Sequence, residues 1–146
     1  MNRTKLVVFL LFFISFSNVI ACPVFDGKFD CTESSGRKYK MEIHTRVEDS
    51  VSIYEIRTSG GHVTERSDNK NHHTNKAFEK TDIDSKGHCE ADHFIYESEW
   101  TDPKTKAPKN PRVKSKKTMH LDKGVLVQVN TYSNHSTVQA NCNKLP

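Results

Sequence analysis

The sequence predicts an all-β domain, built as a single antiparallel meander barrel or sandwich of about eight strands. Apolar and polar residues alternate with a period of two along several segments, and turn signals recur every 8–12 residues. No segment shows the sustained i, i+3, i+4, i+7 apolar spacing of an amphipathic helix. The meander connections favour the barrel, because closure of the sheet removes exposed edges.

The clearest alternation lies in the first half of the domain. Lys38–Val47 places apolar and polar side chains on opposite faces, and a polar turn joins it to a second strand, Val51–Thr58. The chain then turns at Ser59-Gly60-Gly61 into a short strand near Val63. Residues 67–76 contain no apolar side chain, so we expect an exposed loop there.

The second half continues the pattern with longer strands. Phe78–Asp84 is a predicted strand, followed by a turn at Lys86-Gly87. His88–Thr101 is apolar on both faces, which suggests a bulge or a strand between packed layers. Residues 102–111 hold three prolines and are expected to form a loop. The last elements are a hairpin of Val113–Leu121 with Val125–Tyr132, then a strand that ends near Cys142.

Residues 1–21 have the features of a cleavable signal peptide. Arg3 and Lys5 precede an apolar run of eleven residues, and small Ala21 stands at the expected cleavage position. A run of that length is too short to span a bilayer, which needs roughly 20 residues. We therefore expect one domain over residues 22–146, exported to the periplasm or secreted, without a transmembrane span.

Charge argues against one class of partner. The signal holds two of the 22 basic residues and none of the 18 acidic ones, so the mature domain has a formal charge of +2. A domain so close to neutral is not expected to bind nucleic acid as a whole.

Four cysteines remain after cleavage, an even number typical of disulfides in exported proteins. Three pairings are possible, and we favour Cys22–Cys31 with Cys89–Cys142. Residues 19–22 also resemble a bacterial lipobox, in which Cys22 would carry a lipid. That alternative would leave three thiols, so the even count favours soluble release over a lipid anchor.

The opening of the domain, residues 22–31 with Gly27-Lys28-Phe29 at the first strand, is similar to that of small exported bacterial calycin and lipocalin-like proteins. The resemblance implies a barrel that holds a small ligand. From the strand alternation we expect Ile43, Val125 and Val129 to face inward. The inward-facing residues that we predict to contact a ligand are Tyr39, Met41, Phe94, Tyr96, Trp100 and Val127.

A basic segment supplies the alternative to an interior ligand. Residues 104–117 contain seven positive charges and no acidic residue, which could bind an anionic surface or partner protein. Solvated residues protecting a sheet edge would give the same pattern. The positions are Lys104, Lys106, Lys109, Arg112, Lys114, Lys116 and Lys117.

No residue pattern predicts catalysis, a cofactor or a structural metal site. The stretch 88–93 contains several His and acidic residues that could bind a metal, but Cys89 is better used in a disulfide. The whole sequence is rich in Lys, Asn and His, so solvated polar residues explain the stretch. Residues 35–39 are similar to the Ser-Gly-x-x-Tyr loop of c-type lysozyme inhibitors of bacterial envelopes.

From these observations together, we predict a non-enzymatic exported binding protein for a small apolar ligand. The alternative is an inhibitor-like interaction protein with a filled core that binds its partner through residues 104–117.

Overall fold

A computed structural model describes residues 22–76, 81–102, 104–105 and 114–146, and these form β-strands with no helix. The signal peptide predicted at residues 1–21 lies outside this part of the chain. No helix long and apolar enough to cross a membrane is found among the described residues. The strands are β1 Gly27–Glu33, β2 Lys38–Glu48, β3 Val51–Thr58, β4 Gly61–Arg66, β5 His72–Lys76, β6 Thr81–Glu90, β7 His93–Thr101, β8 Lys114–Asp122, β9 Val125–Tyr132 and β10 Thr137–Lys144.

All ten strands of the described residues belong to one antiparallel curled sheet in the order β4-β3-β2-β1-β10-β9-β8-β7-β6-β5. Strands adjacent in sequence pair with one another, and the first strand pairs with the last. The chain passes from one edge of the sheet to the other between β4 and β5. This is the predicted meander, with the chain termini joined in the middle of the sheet.

The two clearest predicted hairpins are confirmed. β2 and β3 are joined by Asp49 and Ser50, both with positive φ, and β8 and β9 are joined by Lys123 and Gly124, also with positive φ. Two-residue turns with positive φ at both positions match the right-handed twist of the flanking strands. Hairpin geometry is local, which is why the sequence could predict it.

The strand count of about eight is too low because β5 was predicted as part of a loop. The segment has no apolar side chain, but its backbone pairs with β6 from His72↔Ser85 to Lys76↔Thr81. An edge strand needs backbone pairing on one side only and need not bury apolar side chains. The polar composition of β5 therefore gave no indication that it is a strand.

The turn predicted at Lys86-Gly87 is also wrong. Gly87 lies inside β6, and the chain turns at Ala91 and Asp92 instead. A Cβ on Gly87 would lie 2.1 Å from the carbonyl oxygen of Arg66, at the end of β4. Glycine is needed here for close approach of another strand and not for a turn.

The core fills one end of the barrel, which we call the filled end. Phe94 of β7 contacts Tyr54 of β3 across the interior, with ring centroids 4.4 Å apart. The N-terminal segment closes the same end: Phe25 packs on Tyr54, and the Tyr54 hydroxyl donates a 2.8 Å hydrogen bond to the carbonyl oxygen of Pro23. The buried cluster consists of Phe25, Phe29, Cys31, Met41, Ile43, Tyr54, Ile56, Phe94, Met119, Leu126, Ala140 and Cys142.

All four cysteines form disulfides, but the pairing that we favoured from the sequence is wrong. The bonds are Cys22–Cys89 and Cys31–Cys142. Cys31 and Cys142 are direct partners in the β1–β10 ladder, and Cys22 leads across the filled end to β6. The correct pairing depends on how the barrel closes, which cysteine spacing does not reveal.

Candidate ligand-binding site

A row of three small polar residues crosses the sheet just beyond the filled end. Ser85, Ser98 and Ser115 are in register on β6, β7 and β8, and we call them the serine row. Ser98 and Ser115 are two positions from Tyr96 and Lys117, so they face the same side of the sheet as the core. Their hydroxyl oxygens are 2.9 Å apart. Such small side chains leave this half of the core side thinly filled.

Four large apolar side chains remain exposed although they face the core side: Val47 and Leu121, which lie beside turns, and Trp100 and Val63. Trp100 lies two residues beyond Ser98 and is 42% exposed. Val63 of β4 is opposite the buried Ile56 of β3 and is 41% exposed. We call the region of Val63, Trp100 and the serine row the open half of the barrel.

A buried ion pair forms the boundary between the filled end and the open half. Glu65 of edge strand β4 accepts a hydrogen bond from the Nζ of Lys117 on β8, and the side chains are only 4% and 12% exposed. The Lys117 ammonium also lies 5.2 Å from the centre of the Tyr96 ring, which adds a cation–π contact. Breaking such a pair leaves an uncompensated buried charge, at a cost of about 3–5 kcal/mol.

The electrostatic effect of Glu65 reaches the neighbouring tyrosines. Burial raises the pKa of the Tyr96 hydroxyl, the Ser85 hydroxyl lowers it by hydrogen bonding, and the Glu65 carboxylate raises it further. Burial also raises the pKa of Tyr54, with a further contribution from Glu65. Both phenols therefore remain neutral hydrogen-bonding groups at physiological pH.

The predicted ligand-contact residues lie in two different parts of the structure, the core and the open half. Met41 and Phe94 are buried in the core, whereas Tyr39 and Tyr96 are partly buried against it. Trp100 lies in the open half.

The predicted inward face of β9 is wrong. Leu126 is the β9 residue of the buried cluster, so the alternating Val125, Val127 and Val129 face the other side of the sheet, where Val127 is nevertheless buried. Valines suit either face of a strand, because β-branched side chains pack well on any pleated surface. Beyond Leu126, the inner positions of β9 are the polar residues Gln128 and Asn130, which gave no apolar signal.

The basic segment is not one continuous patch in its described part. Lys117 is buried on the core side, whereas Lys114 and Lys116 face the opposite side and pair with Glu99 at 3.1 Å and Glu97 at 4.0 Å. Lys104 is exposed. The remaining positions, Lys106, Lys109 and Arg112, lie outside the described residues.

A groove of about 600 Å³ runs over β6 to β9. Its lining includes the serine row and the two rows of residues that alternate with it, and it excludes Tyr96 and Trp100. The acidic and basic residues of the rows are mixed, so the groove has no strong charge of one sign. The charged lining residues are Asp84, Lys86, Glu97, Glu99, Lys114 and Lys116.

Five of the eight histidines contact carboxylates within the described part of the chain. His72 contacts Asp68 at 2.9 Å, and His93 contacts Asp92 at 2.6 Å. Burial opposes ionisation of Asp68, but the hydrogen bond from His72 and the backbone N–H of Lys70 lower its pKa overall. Among the described residues, no three His, Cys, Asp or Glu side chains are grouped so as to hold a metal ion.

Several solved structures match most of this chain. The fatty acid transporter REP1-NXSQ is 8% identical over 83% of this chain and 96% of its own, with a TM-score of 0.57. A mutant of the fluorescent protein UnaG is 8% identical over 84% and 96%, with a TM-score of 0.59. The fold is a lipocalin-like β-barrel.

A third barrel of this kind is secretory abundant heat soluble protein 4 from Ramazzottius varieornatus. It is 12% identical over 83% of this chain and 94% of its own, with a TM-score of 0.57. No protein-family model matches the sequence, and no curated protein sequence matches it. At these identities the comparisons establish the lipocalin-like fold, and function must be argued from the residues.

Sequence reasoning missed the residues that shape the open half. From the sequence we predicted a short strand near Val63, but we did not predict a binding role for Glu65 or the serine row. Lys117 was assigned to an exposed patch with Lys114 and Lys116. The period of two along β8 contained the correcting signal, because Lys117 shares its face with Met119, a core residue.

Proposed function

We propose that this chain is an exported, non-enzymatic protein that binds a small apolar ligand in the open half of its lipocalin-like barrel. The observation that carries the proposal is the exposure of Val63 and Trp100 on the core side of the sheet. At the filled end, Phe25, Tyr54 and Phe94 are buried, and the exposed apolar residues there, Val47 and Leu121, lie beside turns. The side chains of this barrel therefore fill one half and leave apolar surface in the other.

The open half has the composition of a ligand site. Pockets for small molecules are concave and mostly apolar, with a few polar groups that fix orientation. Trp100 and Val63 supply the apolar contacts, and covering them would contribute about 1 kcal/mol each. The serine row and the Glu65–Lys117 pair supply the polar groups.

The topology provides a route into this site. β4 and β5 are the two edges of the sheet and do not pair with each other. The connection between them is attached to β6 near the filled end, where the N–H of Asn69 donates a 2.8 Å hydrogen bond to the carbonyl oxygen of Gly87. Val63 lies on β4 away from that closure, so a ligand that enters between the edges would meet it first.

The comparisons support a binding role. One barrel of the same fold is a fatty acid transporter, and we extend to this chain only the general property of holding an apolar molecule. The alternative partner site in residues 104–117 receives less support, because the charges of Lys114 and Lys116 are offset by Glu99 and Glu97.

Fluorescence of Trp100, the only tryptophan, tests the proposal directly. Titration with an apolar dye should change its emission, and long-chain alcohols or acids should displace the dye. Val63→Asp should weaken dye binding at least tenfold, because it places a charge on the apolar contact surface. Val47→Asp, at an exposed valine beside the turn between β2 and β3, is the matched control and should leave binding unchanged. If the Trp100 emission of the unmodified protein does not change with added dye, the result would support the interaction protein with a filled core instead.

A further inference from the structure

Lys117 and Glu65, at the boundary of the open half, differ in how many of their polar atoms have a partner. Lys117 has two partners, the Oε1 atom of Glu65 and the face of the Tyr96 ring. Its charge is therefore compensated within the protein. A ligand carboxylate would have to compete for Lys117 with Glu65, a buried group already in contact with it.

Only one of the two carboxylate oxygens of Glu65 has a hydrogen-bond partner among the described residues. Its Oε1 atom accepts the hydrogen bond from Lys117, but its buried Oε2 atom has no hydrogen-bond partner among the described residues. A carboxylate oxygen can only accept hydrogen bonds, so the group that it lacks is a donor. Native proteins pair most buried polar atoms, which makes an unpaired oxygen beside a candidate site informative.

The ion pair with Lys117 places Glu65 next to the open half. Lys117 is one core-facing position from Ser115 of the serine row, so its ion pair with Glu65 forms the floor of the open half. The Glu65 carboxylate adds to the effect of burial in raising the pKa of Tyr54 and Tyr96, which lie on either side of this ion pair. An anionic end group would meet the negative side of the ion pair, whereas a hydroxyl could donate to it.

We propose that the open half selects ligands whose polar end is an uncharged hydrogen-bond donor, such as a long-chain alcohol, over the corresponding carboxylates. This inference rests on the proposed function and adds the chemistry of the ligand's polar end. Glu65 is the residue that determines the specificity, by accepting a hydrogen bond from the hydroxyl and repelling the carboxylate.

Decan-1-ol and decanoate, which have the same chain length, test the selection by dye displacement at pH 7.5. The alcohol should bind at least tenfold more tightly. When the pH is lowered through the pKa of the free fatty acid, binding of decanoate should strengthen while binding of the alcohol stays constant. This pH series uses only the unmodified protein and does not depend on the folding of a variant.

The variant Glu65→Gln should reduce or reverse the preference, because it removes the negative charge and leaves Lys117 available to a carboxylate. Glu97→Gln, which alters an exposed glutamate paired with Lys116 on the outer side, is the matched control and should keep the preference. Equal or tighter binding of decanoate at pH 7.5 would overturn the inference but leave the proposed function standing. If neither compound bound, the proposed function itself would fail.

Discussion

Gly87 controls how closely the two halves of the sheet approach each other. A Cβ at this position would lie 2.1 Å from the Arg66 carbonyl oxygen and 3.1 Å from two atoms of the Phe94 ring. The first contact is with backbone, which cannot rotate away. The Asn69–Gly87 hydrogen bond depends on the same approach. Gly87 therefore allows the edge strand β4 to close against β6.

Replacing Gly87 with alanine should lower the free energy of unfolding by about 1–3 kcal/mol, because β4 must move away from β6. Gly60→Ala is the control: its Cβ would meet only the Thr58 hydroxyl oxygen at 3.6 Å, an ordinary contact. Urea unfolding of both variants measures the difference. A loss no greater for Gly87→Ala than for Gly60→Ala would contradict the close approach.

At the scale of strands, the pairing of β1 with β10 joins the two ends of the chain into one sheet. Five residue pairs link them, and the Cys31–Cys142 bond lies within that ladder. Its cysteines are 111 residues apart, so the bond constrains a long loop of the unfolded chain. Because β10 already pairs with its neighbour in sequence, β9, the bond mainly holds β1 in the sheet.

The double variant Cys31→Ala/Cys142→Ala should lose about 4–5 kcal/mol of stability by the loop-entropy estimate. Guanidinium unfolding measures this loss, and the β-sheet signal in circular dichroism should persist because the backbone ladder remains. A change below about 1 kcal/mol would show that the ladder closes the sheet without the bond.

Local sequence signals predicted most strands, and they failed where a strand depends on a distant partner. The β2–β3 and β8–β9 hairpins were predicted because alternation and turn residues are neighbours in sequence. β5 was missed because its pairing with β6 is invisible in its composition. The role of Gly87 and the disulfide pairing both depend on contacts between residues far apart in the chain. For the candidate site, Trp100 and Tyr96 were predicted, but Glu65 and the serine row have no apolar signal of their own.

At the scale of the whole molecule, the Cys22–Cys89 bond connects the first residue of the expected mature chain to β6. A lipid anchor on Cys22 would require the same sulfur atom that forms this bond. The two disulfides, which involve every cysteine, are consistent with an exported protein. Lipidation of Cys22 and the Cys22–Cys89 disulfide therefore exclude each other.

Intact-mass analysis of the protein purified from its own host tests this processing. The mass should correspond to residues 22–146 less four hydrogens for two disulfides, without an added diacylglyceryl group. Non-reducing peptide mapping should then link Cys22 to Cys89 and Cys31 to Cys142. Lipid on Cys22 would leave Cys89 as a free thiol, so thiol titration after denaturation provides an independent control. A lipid mass together with one free thiol would contradict the soluble protein and would place the barrel at a membrane surface instead.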